Sequence, residues 1–351
     1  MLMKQKMIRL MAAMMVIATI ITSVTPLRVF AEGKELLVYS NSLTDERKEW
    51  LTQKSSEAGF NLTYVDAGGG DLFNRLLAEK SAPQADVVFG LDESMFMELQ
   101  DNDLLVAYEP TWADKVDEAA KVGDGYFFPI VEQRIFMTYN PEFITEEEAP
   151  KNWQDLAATE DFHGKYNVPA NFQGGTSQKA LLSILLQYVD EAGELGISDE
   201  GWQQAEAYLE NGYQTPESEN QHANFKDGKV PLSFIYSSGV PLNEEEFEMT
   251  IQPINPEQGV VTMREQVGII NKGDEDYSVA QEFVDWFGSG EVQGEWAAEF
   301  GSLPLNEEAF DKVQPRLKEI AEQTTPMDID WDFVREHLSE WIEKAELELM
   351  P

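Results

Sequence analysis

Residues 36–42 read Leu-Leu-Val-Tyr-Ser-Asn-Ser, and residues 86–92 read Asp-Val-Val-Phe-Gly-Leu-Asp. Each is a short apolar run that stops in small or capping residues, the pattern of a buried strand running into a helix. Between them, Phe60 to Val65 alternates apolar and polar residues, and Asp71 to Lys80 is amphipathic at helical spacing. A helix opens at Ser42 or Thr44, with Asp45 and Glu46 in its first turn, and closes before Gly59. Asp92 is placed to cap the helix that follows the second run. The order is βαβαβα, which predicts an α/β fold with a largely parallel sheet. Ligands of such sheets sit at the carboxyl ends of strands, on the loops that start the helices.

Working outward, Tyr126 to Tyr139 is aromatic and β-branched and reads as extended chain ended by Asn140-Pro141. Helices are expected over Trp153 to Ala158, Lys179 to Asp190, Glu200 to Glu210, Tyr277 to Phe287, Val292 to Phe300 and Trp331 to Leu347. Val230 to Tyr236 and Val267 to Ile270 read as buried strands. Upstream, Lys4, Lys6 and Arg9 precede an apolar run from Leu10 to about Val24, and Val29-Phe30-Ala31 follows. That is the three-part pattern of a secretory leader, 1–31, cleaved after Ala31.

Composition narrows the function. Of 351 residues, 65 are acidic and 25 basic, a formal charge of −40. Such a surface repels nucleic acid and anionic membranes. There is no cysteine, so disulfides, thiolate metal sites, cysteine nucleophiles and lipidation at an N-terminal cysteine are excluded. His163, His222 and His337 lack ligand spacing, and the acidic runs 146–148 and 244–246 read as solvated. No Gly-x-Ser-x-Gly, His-Glu-x-x-His or phosphate-binding Gly-x-x-x-x-Gly-Lys pattern is present, so no enzyme activity, cofactor or metal is expected.

Binding signals are stronger. Four small-residue clusters lie at strand–helix junctions. They contribute Ser40, Asn41 and Ser42; Gly69 within 68–70; Gly175, Thr176 and Ser177 after Gly174; and Ser237 and Ser238 before Gly239. Small residues let a ligand approach the backbone, and helix N-terminal N–H groups hold anions, although turns and caps need the same residues. Tyr236 ends a strand where its ring can face a cleft. Asp92 could meet a cationic ligand as well as cap its helix.

The motifs at 36–42, Asn74–Lys80, Ala85–Glu93, Ile135–Glu142, Asn152–Ala157 and Val279–Asn306 together resemble the type II solute-binding proteins of bacterial ABC importers. The similar branch holds ferric-iron, thiamine, phosphonate and sugar-phosphate binders. The resemblance implies a two-lobed α/β fold with the ligand cleft between lobes. Lobe one would take 33–133 plus 264–301, and lobe two 134–263 plus 302–351. It implies capture of a small polar solute and delivery to a membrane permease, by a monomer free in the periplasm or at the extracytoplasmic surface. For a thiamine-like ligand it implies contacts from Asp92 and Tyr236. For a phosphonate or phosphate ester it implies neutralisation by Arg134, which could instead form an internal ion pair. Ferric-iron members carry adjacent tyrosines where this chain has Tyr236-Ser237. A secreted hydrolase using two carboxylates and a sensory ligand-binding module are the competing classes.

Overall fold

β1 (Lys34–Ser40) lies beside and parallel to β3 (Val87–Phe89), with Val38 opposite Val87 and Ser40 opposite Phe89. β2 (Phe60–Asp66) flanks β1 on its other side. The computed structural model describes residues 33–350; the expected leader, 1–31, lies outside the described residues. From Glu35 onward the chain forms one compact unit. The helices between these strands begin where the sequence supplies caps. The Thr44 hydroxyl accepts from the Arg47 N–H at the start of α1 (Asp45–Glu57), and the Asp92 carboxylate accepts from the Met95 N–H at the start of α3 (Glu93–Asp101). α2 (Gly69–Ala78) buries Leu72 and Leu76.

The sheet then departs from the expected parallel pattern. β5 (Phe127–Tyr139) and β11 (Val261–Ile270) pair antiparallel along most of their length, and β11 also runs antiparallel to β3. These two long strands form the middle of a nine-stranded mixed sheet, with β4 (Leu105–Val106) beside β11. One edge of β5 receives β12 (Leu303–Pro304) and then β9 (Leu232–Tyr236). The other receives β11 and then β10 (Gln252–Pro253). The expectation of a largely parallel sheet is therefore corrected. More than a hundred residues separate β5 from β11, so nothing local in either apolar run sets its direction.

Pro129 sits inside β5, where it cannot donate to the ladder. The chain accommodates it with a bulge: Glu265 faces Val131, Gln266 faces Pro129, and Ile130 is skipped. The Ile130 carbonyl accepts from Leu305 N–H instead.

β5 serves two separate sets of core side chains. Phe128, Ile130 and Val131 pack with Val38, Phe89, Val267, Phe283, Phe287 and Trp296. Met137 and Tyr139 pack with Trp153, Tyr166, Leu182, Leu185, Trp202, Tyr208 and Trp341. The first set is built from β1, β3, α9 (Ser278–Phe287) and α10 (Gly290–Phe300). The second is built from α4 (Trp153–Ala158), α5 (Gly175–Leu185), α6 (Asp199–Asn211) and α12 (Trp331–Lys344). Each buried aromatic or Leu contributes roughly 1.5–3 kcal/mol of transfer free energy, so each set is a core in its own right. α5 stops at Leu185, short of the expected Asp190, and an exposed strand, β7 (Val189–Glu194), follows. β6 (Asn167–Val168) and β8 (Tyr213–Gln214) make a small parallel pair near α7 (Gln221–Lys226), and α8 (Gly239–Phe247) follows β9. α11 (Pro315–Gln323) precedes α12.

Candidate functional site

The crossing strands present opposite faces to opposite tasks, because side chains alternate along a strand. On one face Glu132 lies directly across from Arg264 and accepts from its Nε at 3.1 Å, while Arg134 Nε donates to the other oxygen of Glu132 at 2.8 Å. On the other face Gln133, Met263 and Glu265 line a cavity of about 550 Å³. Thr44, Glu46 and Arg47 from the start of α1, Thr176 from α5, Tyr236 at the end of β9, Ser238, Leu242, and Glu299 and Phe300 at the end of α10 are among its other walls. A second cavity of about 360 Å³ adjoins it through Thr176 and Tyr236 and adds Ser177, Asn167, Asn171, Thr215 and Asn243.

Two helices start at these cavities without a side-chain cap. α5 begins after Gly174, and α8 after Ser238; neither has an acid in its first turn. Neither helix dipole is therefore offset by a carboxylate in its own first turn, although Glu46, Glu265 and Glu299 line the same cavity as Thr176 and Ser238. Gln133 Oε1 holds the entrance to α8, accepting from the Ser237 hydroxyl at 3.1 Å and the Ser238 N–H at 3.2 Å. Arg47 lies 5.4 Å above the Trp296 ring and 5.6 Å above Phe300, and its guanidinium donates to the Ser42 carbonyl at 3.1 Å. The Ser42 hydroxyl donates to Glu265 Oε2 at 2.7 Å. Burial pushes the Glu265 carboxyl above the usual range, against the lowering effects of Ser42 and Arg47.

Of the twelve expected contacts, Thr176, Ser177, Tyr236 and Ser238 line the cavities. Gly175 starts α5 beside the Met263 sulfur. Ser42 reaches the cavity through Glu265. Asn41 packs against Gly69 and Gly90, where it helps to shape the strand-end loops. Ser40 and Ser237 are fully buried; the Ser40 hydroxyl accepts from the Ser42 N–H at 3.0 Å.

Asp92 and Arg134 are both engaged within the protein. The Asp92 carboxylate accepts from Ser94 and Met95 and pairs with Lys179 at 3.2 Å. Burial raises its pKa, but Lys179 and these hydrogen bonds outweigh it, and the net shift is downward. Arg134 is consumed by Glu132 and by the carbonyls of Ala321 and Thr324. It is the internal ion pair that the sequence left open. Glu265, Arg47, Gln133 and Met263 were missed. Only the alternation of 261–270 could have flagged Glu265, had its strand been started at Val261.

A family model described as bacterial extracellular solute-binding protein matches residues 51–323 of this chain. The chain belongs to that family. An ABC transporter periplasmic-binding protein of Sinorhizobium fredii is 32% identical over 314 residues, covering 90% of this chain and 86% of that one. A Salmonella typhi periplasmic protein named for 2-aminoethylphosphonate binding is 29% identical over 149 residues, 40% of this chain and 41% of its own length. In fold, the ferric binding protein from Campylobacter jejuni superposes with a TM-score of 0.72 at 19% identity, over 89% of this chain and 98% of that one.

The solute-binding protein thus has the two-lobed α/β fold of its family and works as the non-enzymatic binding component of an ABC importer, taking a small solute to a membrane permease. No helix among the described residues is long and apolar enough to cross a membrane. No group of three or more His, Cys, Asp or Glu among the described residues is placed to hold a metal ion.

Proposed function

We propose that the solute captured is a small organophosphorus anion, a phosphonate or phosphate ester, held at the start of α5. The observation that carries this reading is the uncapped, acid-free first turn of α5 opening between Thr176 and Tyr236. Backbone N–H groups at a helix start bind anions without desolvating a lysine, and the hydroxyls of Thr176, Ser177, Tyr236 and Ser238 add donors. The likeness to a protein named for 2-aminoethylphosphonate binding supports the same ligand class.

The contact from Asp92 that a thiamine-like cation would use is already taken by Lys179. The iron reading lacks the second tyrosine after Tyr236. In this proposal residues 33–133 plus 264–301 form one lobe and 134–263 plus 302–351 the other. The hinge is then the stretch where β5 and β11 cross, and ligand closes it. One chain supplies both walls, so a monomer suffices.

Calorimetric titration with ethylphosphonate, glycerol 3-phosphate, thiamine and ferric citrate tests the reading. One-site binding of a phosphorus anion, abolished by Thr176→Asp, is expected. Saturable binding of thiamine or ferric citrate with none of either phosphorus anion would overturn it.

A further inference from the structure

We propose that Gln133 is a specificity-determining contact of the bound solute, its side-chain amide nitrogen donating from the crossing strand β5 to an acceptor oxygen of the ligand. The inference rests on the anion reading above and adds a donor from another element to it. Gln133 lines the cavity of about 550 Å³, opposite Met263 in register. The bonds around it fix which way its amide points. The Arg134 N–H donates to Ser237 Oγ at 3.1 Å, so the single proton of that hydroxyl goes to Gln133 Oε1, also at 3.1 Å. The Ser238 N–H, which can only donate, reaches the same Oε1 at 3.2 Å. Both bonds place the carbonyl oxygen against the start of α8 and leave Nε2 on the opposite arm of the amide.

Gln133 is 6% exposed, and among the described residues its Nε2 meets no acceptor. The buried Gln266 and Gln293 spend their Nε2 on the carbonyls of Arg264 and Phe287 and leave Oε1 without a partner. Gln133 does the reverse. Its Nε2 is not among the polar atoms that lack both a partner and open surface. For a residue this buried, the open surface that remains is the cavity it lines. Two N–H donors held rigidly against that space suit a ligand oxygen that only accepts, and disfavour a ligand that ends there in a donor. Glu132 and Arg134, on either side in sequence, point to the other face of β5 and pair with each other, so neither competes for the amide.

Gln133→Glu keeps an oxygen for Ser237 and Ser238 and exchanges the donor for an acceptor. Ethylphosphonate and glycerol 3-phosphate should bind this variant about thirtyfold or more weakly at about pH 8, as expected when a hydrogen bond to a charged group is lost. Protonation gives the new carboxyl an O–H donor, so the ratio to the unmodified protein should narrow as pH falls to about 5. The ratio is the quantity read because Arg47, Glu46, Glu265 and Glu299 face the same cavity and the probes titrate as well. Thermal unfolding reports whether the variant folds. Independently of the variant, the Gln133 side-chain amide protons of the unmodified protein should move downfield in proton–nitrogen correlation spectra on saturation with ethylphosphonate. Amide signals unmoved at saturation, or a folded Gln133→Glu that binds either probe as tightly as the unmodified protein, would overturn the inference while leaving the anion reading intact. Binding of neither probe by the unmodified protein would overturn both.

Discussion

Lys179 and Asp92 meet at 3.2 Å although 87 residues separate them. Lys179 belongs to α5 and is 1% exposed, with its ammonium also 5.3 Å from the Trp331 ring. Asp92 caps α3. The pair therefore fastens a helix of the second core set to the start of α3, whose Phe96 and Leu99 pack with Leu72, Leu105 and Phe127. Removing one member of a buried pair leaves the other charged and unpaired, which costs about 3–5 kcal/mol. Lys179→Met should lower stability to urea by an amount of that order. Asp92→Ala should leave ligand affinity unchanged, because the carboxylate faces Lys179; a large loss of affinity would restore it to the site.

The same segment should make stability depend on pH in opposite senses. Burial, reinforced by the neighbouring Asp92 charge, pushes the Glu93 carboxyl up to about 7. Its two oxygens accept from the Arg264 N–H at 3.1 and 3.2 Å. An acid with a raised folded pKa binds its proton more tightly when folded. Stability thus falls as pH rises from about 4.5 to about 7, by roughly 3 kcal/mol for such a shift. Glu93→Gln should flatten that decline in urea unfolding measured across the window. Asp92 is lowered, so its contribution is present above its unfolded value and is lost as pH falls further; Asp92→Asn should remove that acid-side loss.

Gly90 turns the chain from β3 toward Asp92 with φ +100°, and a Cβ there would lie 2.5 Å from the Ser42 hydroxyl and 2.6 Å from Asn41 Oδ1. Gly125 also has positive φ, +84°, but nothing within 4 Å. Gly125→Ala should cost about 1 kcal/mol from backbone strain alone, and Gly90→Ala visibly more. Equal melting temperatures for the two variants would remove the crowding argument. By displacing Ser42, Gly90→Ala should also weaken ligand binding.

Tyr236 is 39% exposed at the junction of the two cavities, so its ring contributes little to folding. Tyr236→Ala should cost about tenfold or more in affinity for an organophosphorus ligand with little change in melting temperature. A stability loss without an affinity loss would make it a structural residue.

The first half of the fold was legible because its signals are local. Thr44 and Asp92 are caps within three residues of the groups they bind, and the apolar runs at 36–40 and 87–89 need no partner to be read as buried. Tyr236 was legible for the same reason, as the last residue of an apolar run. What failed was long-range. The pairing of Lys179 has no local signal, because its partners Asp92 and Trp331 lie far away in sequence. The strand containing Glu265 reads from the sequence only as Val267 to Ile270, because Arg264-Glu265-Gln266 is polar; Glu265 lines the cavity and Arg264 pairs with Glu132 rather than packing in a core. The direction of β11 relative to β3 and β5 follows from the whole chain path and has no local signature.

The most direct measurement is the structure of the complex with a phosphonate. The account expects the phosphorus within hydrogen-bonding distance of the first-turn N–H groups of α5, with the Thr176 and Tyr236 hydroxyls turned toward its oxygens. A phosphonate bound away from the start of α5, or a cavity that admits only a metal or an aromatic cation, would contradict it.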